Sequence, residues 1–137
     1  MAKFIIAFSM MLLVFFPIVQ YTLNQANHNR MENAIEIVHK HVQQARTDGY
    51  FTPGNIDNMK NELALRCNVT LSKIMVNVTT TPKYRFNAFD QREMIDYDIQ
   101  IPINEIIAMA SYFGFTSEQN KSVYTIRGSA PSEVLAP

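Results

Sequence analysis

The sequence predicts an α+β protein, in which a long N-terminal α-helix precedes a small head with a roughly three-stranded antiparallel sheet and two short helices. The first observation is a gap in charge, because no charged residue lies between Lys3 and Arg30 and 23 of the 24 charges fall from Arg30 onward. The second is a strict alternation of apolar and polar residues over positions 95–103, which is typical of a strand with one buried face. The chain therefore has an apolar end and a water-soluble end.

Composition excludes several classes of protein. The 12 basic and 12 acidic residues cancel, whereas nucleic-acid binders usually carry a basic excess. Cys67 is the single cysteine, so an internal disulfide framework and a cysteine-based zinc site are excluded. No Walker loop, nucleophile elbow, HExxH pair or Cys–His arrangement occurs in the sequence. We therefore expect neither an enzyme nor a cofactor.

Residues 1–29 are predicted to form a hydrophobic helix. Positions 4–19 contain eleven Leu, Ile, Val or Phe residues, which together favour membrane insertion by about 3–7 kcal/mol. A helix over positions 4–23 spans roughly 30 Å, close to the thickness of a bilayer core, although Pro17 removes one backbone hydrogen bond. Three interpretations stay open: a cleaved secretory signal, which lacks the usual A-x-A cleavage pattern; a plain membrane anchor; and an anchor that later packs inside a filament.

The same helix is predicted to continue over residues 30–48. Met31, Ile35, Val38 and Val42 recur at helical spacing and are expected to pack on the head. Gly49 is a natural helix stop. Lys3 precedes the apolar segment, so the positive-inside rule predicts a cytoplasmic N-terminus and an external head.

The globular head is predicted over residues 49–128, with a C-terminal tail over 129–137. Thr52 and Pro53 favour a helix start, and this helix is expected to end near residue 66. Strands are predicted over 74–79, 95–103 and 122–127. Asn104 and Gly114 bound a further predicted helix over 105–113.

Titratable clusters point to no metal site. The carboxylates of Asp96 and Asp98 share a strand face near Glu93 and could provide oxygen ligands for calcium. We favour instead an ordinary solvent face, or charges that keep an edge strand from pairing wrongly. The three histidines are predicted to be surface residues of the long helix that bind no metal: His28, His39 and His41.

Three further features of the head carry predictions. Basic and aromatic residues interleave over 83–89, which favours a loop that docks on a neighbouring subunit over single-stranded nucleic acid. Cys67 is predicted to be a small buried residue. Three asparagines match the N-glycosylation pattern and would be acceptors if the head is external: Asn68, Asn77 and Asn120.

Four segments resemble a known family. They are the opening MAKFIIAFSMMLLVFFPI, the strand DYDIQIPI, the FGF at positions 113–115 and the ending VYTIRGSAPSEVLAP. In these features the chain resembles the TadE-like, type IV pilin-like structural subunits of Gram-positive bacteria. The resemblance implies a membrane-inserted subunit that an assembly ATPase and its platform machinery extract, and that packs its apolar helix against copies of itself. It further implies a final location in an extracellular pilus at the cell surface.

The sequence departs from the family pattern in one respect, and the resemblance leaves two interpretations of the function. Standard type IV pilins carry a short leader and a glutamate five residues into the mature helix. In this sequence the fifth residue is Ile5, and the first acidic residue is Glu32. Assembly is therefore expected to depend on apolar packing. The first reading is a homopolymeric filament subunit, and the alternative is a single-pass anchored accessory, or minor pilin-like, protein of a secretion or conjugation apparatus. The residues predicted to mediate membrane insertion and assembly are Phe4, Ile5, Phe8, Leu12, Leu13, Phe15, Phe16, Pro17 and Val19.

Overall fold

The computed structural model describes residues 2–137 and has the predicted α+β architecture. Three strands form one antiparallel sheet, in which the second strand along the chain lies in the middle. Two short 3₁₀ turns lie at Leu71–Lys73 and Ala110–Phe113. The remaining elements are α1 (Ala2–Asp48), α2 (Pro53–Cys67), β1 (Met75–Val78), β2 (Met94–Ile103) and β3 (Ser122–Pro131).

The end of α1 and the start of α2 lie at the residues that the sequence predicts. α1 ends before Gly49, whose φ of +84° is accessible to glycine at little cost. A Cβ at this position would lie 2.9 Å from the backbone oxygen of Lys83. α2 begins after Thr52, whose side chain accepts a hydrogen bond from the backbone N–H of Asn55 at 3.2 Å.

The chain divides into two compact units. The first contains residues 2–29 and Ile103–Ser122, and the second contains Arg30–Pro102 and Val123–Pro137. The segment 103–122, which the sequence analysis assigned to the head, thus belongs with the apolar part of α1. We call residues 104–121 of this segment the apolar loop.

The second unit has a continuous hydrophobic core. α1, α2 and the sheet contribute side chains to it, and Phe51, Met59 and Leu63 are fully enclosed. Cys67 is also buried, as predicted, and burial raises the pKa of its thiol. The other core members are Ala34, Ile37, Val38, Val42, Ala45, Ile74, Ile95, Ile99, Ile101, Ile126 and Ala130.

The sheet confirms the alternation seen in the sequence. β1 pairs with β2 in antiparallel register, with Met75 opposite Gln100 and Val78 opposite Tyr97. β2 buries Ile95 and Ile99 while Asp96 stays exposed. β3 runs four residues beyond the predicted end at 127, to Pro131.

The helix predicted over 105–113 is wrong. Only Ala110–Phe113 turn, as a 3₁₀ segment, and Met109 before them has a positive φ of 56° that interrupts any longer helix. The cause is competition for backbone hydrogen bonds. In a helix over 105–113, the N–H of Ala108 and the oxygens of Ile106 and Ile107 would form backbone hydrogen bonds. Here these three groups bond instead to the side chains of Gln20 and Asn120.

Candidate membrane-inserting surface

The apolar part of α1 is largely uncovered. Among the described residues, α1 is long and apolar enough to cross a membrane, with a mean hydropathy of 2.2 over its best 18-residue window and none of that window buried. The predicted assembly residues therefore lie on an exposed surface, except that Leu12 and Phe16 are half-buried. The exposed members are Phe4, Ile5, Phe8, Leu13, Phe15, Pro17 and Val19.

An apolar groove lies within the first unit, between α1 and the apolar loop. Its volume is about 810 Å³. The rings of Phe16 and Phe113 meet edge to face with centroids 5.1 Å apart, an arrangement that aromatic pairs prefer. The groove is lined by Phe8, Ser9, Met11, Leu12, Leu13, Phe15, Phe16, Pro17, Ile107, Met109, Tyr112, Phe113 and Phe115.

Gln20 attaches the apolar loop to α1. Its Oε1 accepts a hydrogen bond from the backbone N–H of Ala108 at 2.8 Å, and its Nε2 donates to the backbone oxygen of Ile106 at 2.9 Å. Two turns further along the helix, Asn27 donates through Nδ2 to the backbone oxygen of Glu105 at 2.8 Å. Two side-chain amides of α1 therefore hold the first part of the loop in place.

Asn120 organises the loop from its other end. Its Oδ1 accepts from the N–H groups of Ile106 and Ile107 at 3.0 and 2.7 Å, and its Nδ2 donates to the backbone oxygen of Ile107 at 2.9 Å. The residue is buried. Of the three asparagines that match the glycosylation pattern, Asn68 and Asn77 are exposed, whereas the amide of Asn120 is engaged in this network and is not accessible for modification in this fold.

The face of α1 that is buried in the second unit differs partly from the four positions predicted to pack on the head. Val38 and Val42 are buried and Ile35 is half-buried against the core, but Met31 is only half-buried and is not among the residues of the core. The buried face is instead centred on Ile37, which the sequence analysis did not select. The selected stripe is displaced by a fraction of a turn, because the position of the sheet and α2 sets which face of α1 is covered.

His41 is a buried residue, so its prediction as a surface histidine is wrong, while His28 and His39 are exposed. Its Nδ1 faces the Oδ1 of Asn55, and the Nδ2 of Asn55 donates to the backbone oxygen of His41 at 3.0 Å. Its Nε2 lies 3.1 Å from Oε2 of Glu62. Both ring nitrogens thus face side-chain oxygens of α2.

Glu62 is the acidic centre of this cluster. Lys40 donates to both of its carboxylate oxygens, at 3.1 and 3.0 Å. Hydrogen bonds from Lys40 and, to a smaller extent, from His41 lower the pKa of Glu62 below its ordinary value. The cluster joins α1 to α2 within the second unit, and no signal in the sequence marked these residues as partners.

The acidic residues at positions 93, 96 and 98 do not converge. Asp96 is exposed, Asp98 pairs with Arg127 of β3, and Glu93 is fully buried, with its Oε1 accepting from the N–H of Ala88 at 2.6 Å. Over residues 2–137, no three His, Cys, Asp or Glu side chains are grouped so as to hold a metal ion. Asp96 lies on the solvent face that the sequence predicts, whereas Glu93 and Asp98 each keep one buried carboxylate oxygen without a hydrogen-bond partner in the described part of the chain, Oε2 and Oδ1 respectively.

The basic and aromatic segment 83–92 forms an irregular loop in the second unit. The guanidinium of Arg92 lies over the ring of Phe86 at 5.3 Å, and Phe89 is exposed. The backbone N–H of Arg85 donates to the oxygen of Val134 at 2.6 Å, and Ser132 donates through Oγ to the oxygen of Lys83 at 2.7 Å. These contacts hold part of the C-terminal segment on the loop, and the docking of this loop on another subunit stays a prediction.

No family model, curated protein or solved structure with which the chain was compared matches it.

Proposed function

We propose that this chain is a membrane-inserted, pilin-like structural subunit that polymerises through its apolar N-terminal helix into an extracellular filament. The observation that carries the proposal is the exposed apolar surface of α1 over positions 4–19. It is supported by the resemblance of the four segments quoted above to TadE-like, type IV pilin-like subunits. The proposed role is structural, and it requires the membrane before assembly and other copies of the chain afterwards.

The size of the exposed surface explains why it needs a cover. Soluble proteins seldom expose contiguous apolar patches larger than a few hundred Å², whereas Phe4 is 83% and Leu13 is 76% exposed here, along with most of their neighbours. Lipid chains cover such a surface while the helix spans a bilayer. In a filament, the same side chains of adjacent subunits would cover one another.

The alternative, a single-pass accessory protein of a secretion or conjugation apparatus, is favoured by one different observation. The apolar loop contacts α1 at Phe16 and Gln20, and so occupies part of the face that a neighbouring helix would otherwise use. An accessory protein that remains in the membrane needs no such free face. The two proposals therefore differ in abundance and location rather than in membrane insertion.

The test of the insertion step is Leu13→Arg, with Leu65→Arg as the matched control. Both leucines are highly exposed, but Leu65 lies on α2 in the second unit. An arginine at the centre of a membrane helix costs about 2.5–3.5 kcal/mol, which is comparable with the whole favourable sum of about 3–7 kcal/mol for positions 4–19. We expect Leu13→Arg to leave the membrane fraction and Leu65→Arg to remain in it. Equal membrane association of the two variants would contradict the proposal.

The test of the polymerisation step is electron microscopy of material sheared from the cell surface, with antibody labelling of this chain. Thin labelled fibres are expected from cells that express the wild-type chain and the Leu65→Arg variant. A chain found only as a detergent-soluble membrane protein would exclude the filament and leave the accessory role. The intact mass of the cell-associated chain tests the third interpretation, a cleaved secretory signal, because cleavage would remove the apolar segment.

A further inference from the structure

We propose that residues 106–117 of the apolar loop enter the membrane beside α1, and that lipid acyl chains fill the groove between the loop and α1. This inference rests on the proposed membrane insertion of α1 and adds a second membrane-contacting element to it. It gives the segment between β2 and β3 a function that the sequence analysis did not consider.

The position of the groove along α1 sets the depth of the loop. Phe16 contacts Phe113, and at 1.5 Å per residue Phe16 lies about 10 Å from Leu23, the end of the apolar span. Phe8, which also lines the groove, lies about 22 Å from Leu23. If these parts of α1 lie in hydrocarbon, the loop residues that line the same groove lie at a similar depth.

The composition of the loop suits that depth. Positions 106–117 carry no charged residue, and Glu105 and Glu118 stand directly outside this stretch. Large apolar side chains are exposed along it, among them Tyr112 at 68% and Phe113 at 56%. Charged side chains are costly at membrane depth and aromatic residues are favoured near the interface, so this distribution matches a segment that dips into a bilayer.

Many polar groups of the loop backbone form hydrogen bonds within the first unit. Irregular backbone is tolerated at membrane depth only when protein groups satisfy its polar atoms. Gln20 and Asn120 together bond the N–H groups of Ile106, Ile107 and Ala108 and the oxygens of Ile106 and Ile107. The 3₁₀ turn then satisfies three further N–H groups internally: those of Tyr112, Gly114 and Phe115.

The lining favours lipid chains over a protein segment as the occupant. Among the described residues that line the groove, only Ser9 and Tyr112 have polar side chains, and none has a charged side chain that could position a protein partner or a headgroup. One wall is the proposed membrane span itself, so the groove is continuous with the hydrocarbon once α1 is inserted. Its volume of about 810 Å³ lies within the range of roughly 300–1,000 Å³ that is usual for small-molecule sites.

The chain has no tryptophan, so single tryptophans report local contact with lipid. The full-length variants Phe15→Trp, on an exposed position of α1, and Phe113→Trp, in the loop, are reconstituted in phosphatidylcholine vesicles with brominated acyl chains. Phe86→Trp, in the second unit, is the control. We expect bromine to quench most of the fluorescence of the first two variants and little of the third.

The outcomes separate this inference from the proposed function. Quenching of Phe15→Trp without quenching of Phe113→Trp would overturn the loop insertion and leave the membrane insertion of α1 intact, whereas quenching of neither would overturn both. Quenching of Phe113→Trp that disappears as the protein-to-lipid ratio rises would assign the groove to a second copy and overturn the lipid occupant. Tyr112→Trp, at a more exposed position of the same groove, replaces Phe113→Trp if the latter does not fold.

Discussion

Replacing Asn120 by alanine tests how the apolar loop is held. The substitution removes three hydrogen bonds, two accepted from the N–H groups of Ile106 and Ile107 and one donated to the oxygen of Ile107. A typical intramolecular hydrogen bond contributes about 0.5–1.5 kcal/mol net, so the free energy of local opening is expected to fall by about 1.5–4.5 kcal/mol. At 1.36 kcal/mol per factor of ten, the open state becomes about ten-fold to two-thousand-fold more populated.

Amide hydrogen exchange measures this change residue by residue. The amides of Ile106 and Ile107 are expected to exchange faster in Asn120→Ala, because their acceptor is lost and local opening limits exchange in a loop. The core strand β2 in the second unit is expected to keep its protection. The measurement is made on the full chain in detergent, where the first unit retains an apolar surrounding.

Asn77→Ala is the control, because Asn77 also stands in an N-x-S/T pattern but its side chain is exposed on β1. It is expected to leave exchange of the loop amides unchanged. Unaltered exchange at both Ile106 and Ile107 in Asn120→Ala would refute the assignment of Asn120 as the group that organises the loop.

Two further substitutions test the second unit. Ile37→Ala is expected to lower the free energy of unfolding by about 2–5 kcal/mol, because its side chain is fully enclosed in the core, while the half-buried Met31→Ala costs less than about 1 kcal/mol; equal losses in urea unfolding would contradict this burial pattern. Because hydrogen bonds from Lys40 and His41 lower the pKa of Glu62 from 4.5, this carboxylate stabilises the fold above pH 4.5 and loses that effect as the pH falls through the lowered pKa. Glu62→Gln should therefore show a smaller decrease in Tm on acidification below pH 4.5 than the wild-type chain. An identical decrease in both chains would argue that the hydrogen bonds to Glu62 do not stabilise the fold.

The local signals in the sequence predicted the regular elements well. The alternation of Ile95, Ile99 and Ile101 predicted β2, because period-2 patterning follows directly from the geometry of a strand. Gly49 and Thr52 marked where α1 ends and α2 begins, because positive φ and N-capping are properties of single residues. Such features depend on neighbours in the sequence and need no tertiary information.

The errors fall where distant groups compete with local preferences. The sequence predicted a helix over 105–113. In the structure, side chains outside that segment, those of Gln20 and Asn120, bind its backbone at residues 106–108. His41 read as a surface residue, yet Asn55 and Glu62 of α2 lie against both of its ring nitrogens. No pattern within a short window contains these partners.

By itself, the sequence determined that an apolar helix long enough to span a membrane precedes a small α+β head, because hydropathy and periodicity are properties of consecutive residues. Only the tertiary structure decided which face of α1 is buried in the second unit, and that residues 103–122 lie with the apolar part of α1 in the first. The physical reason is that packing and side-chain hydrogen bonds join residues up to 88 positions apart, such as Gln20 and Ala108. Such pairs acquire meaning only when the folded chain places them within hydrogen-bonding distance.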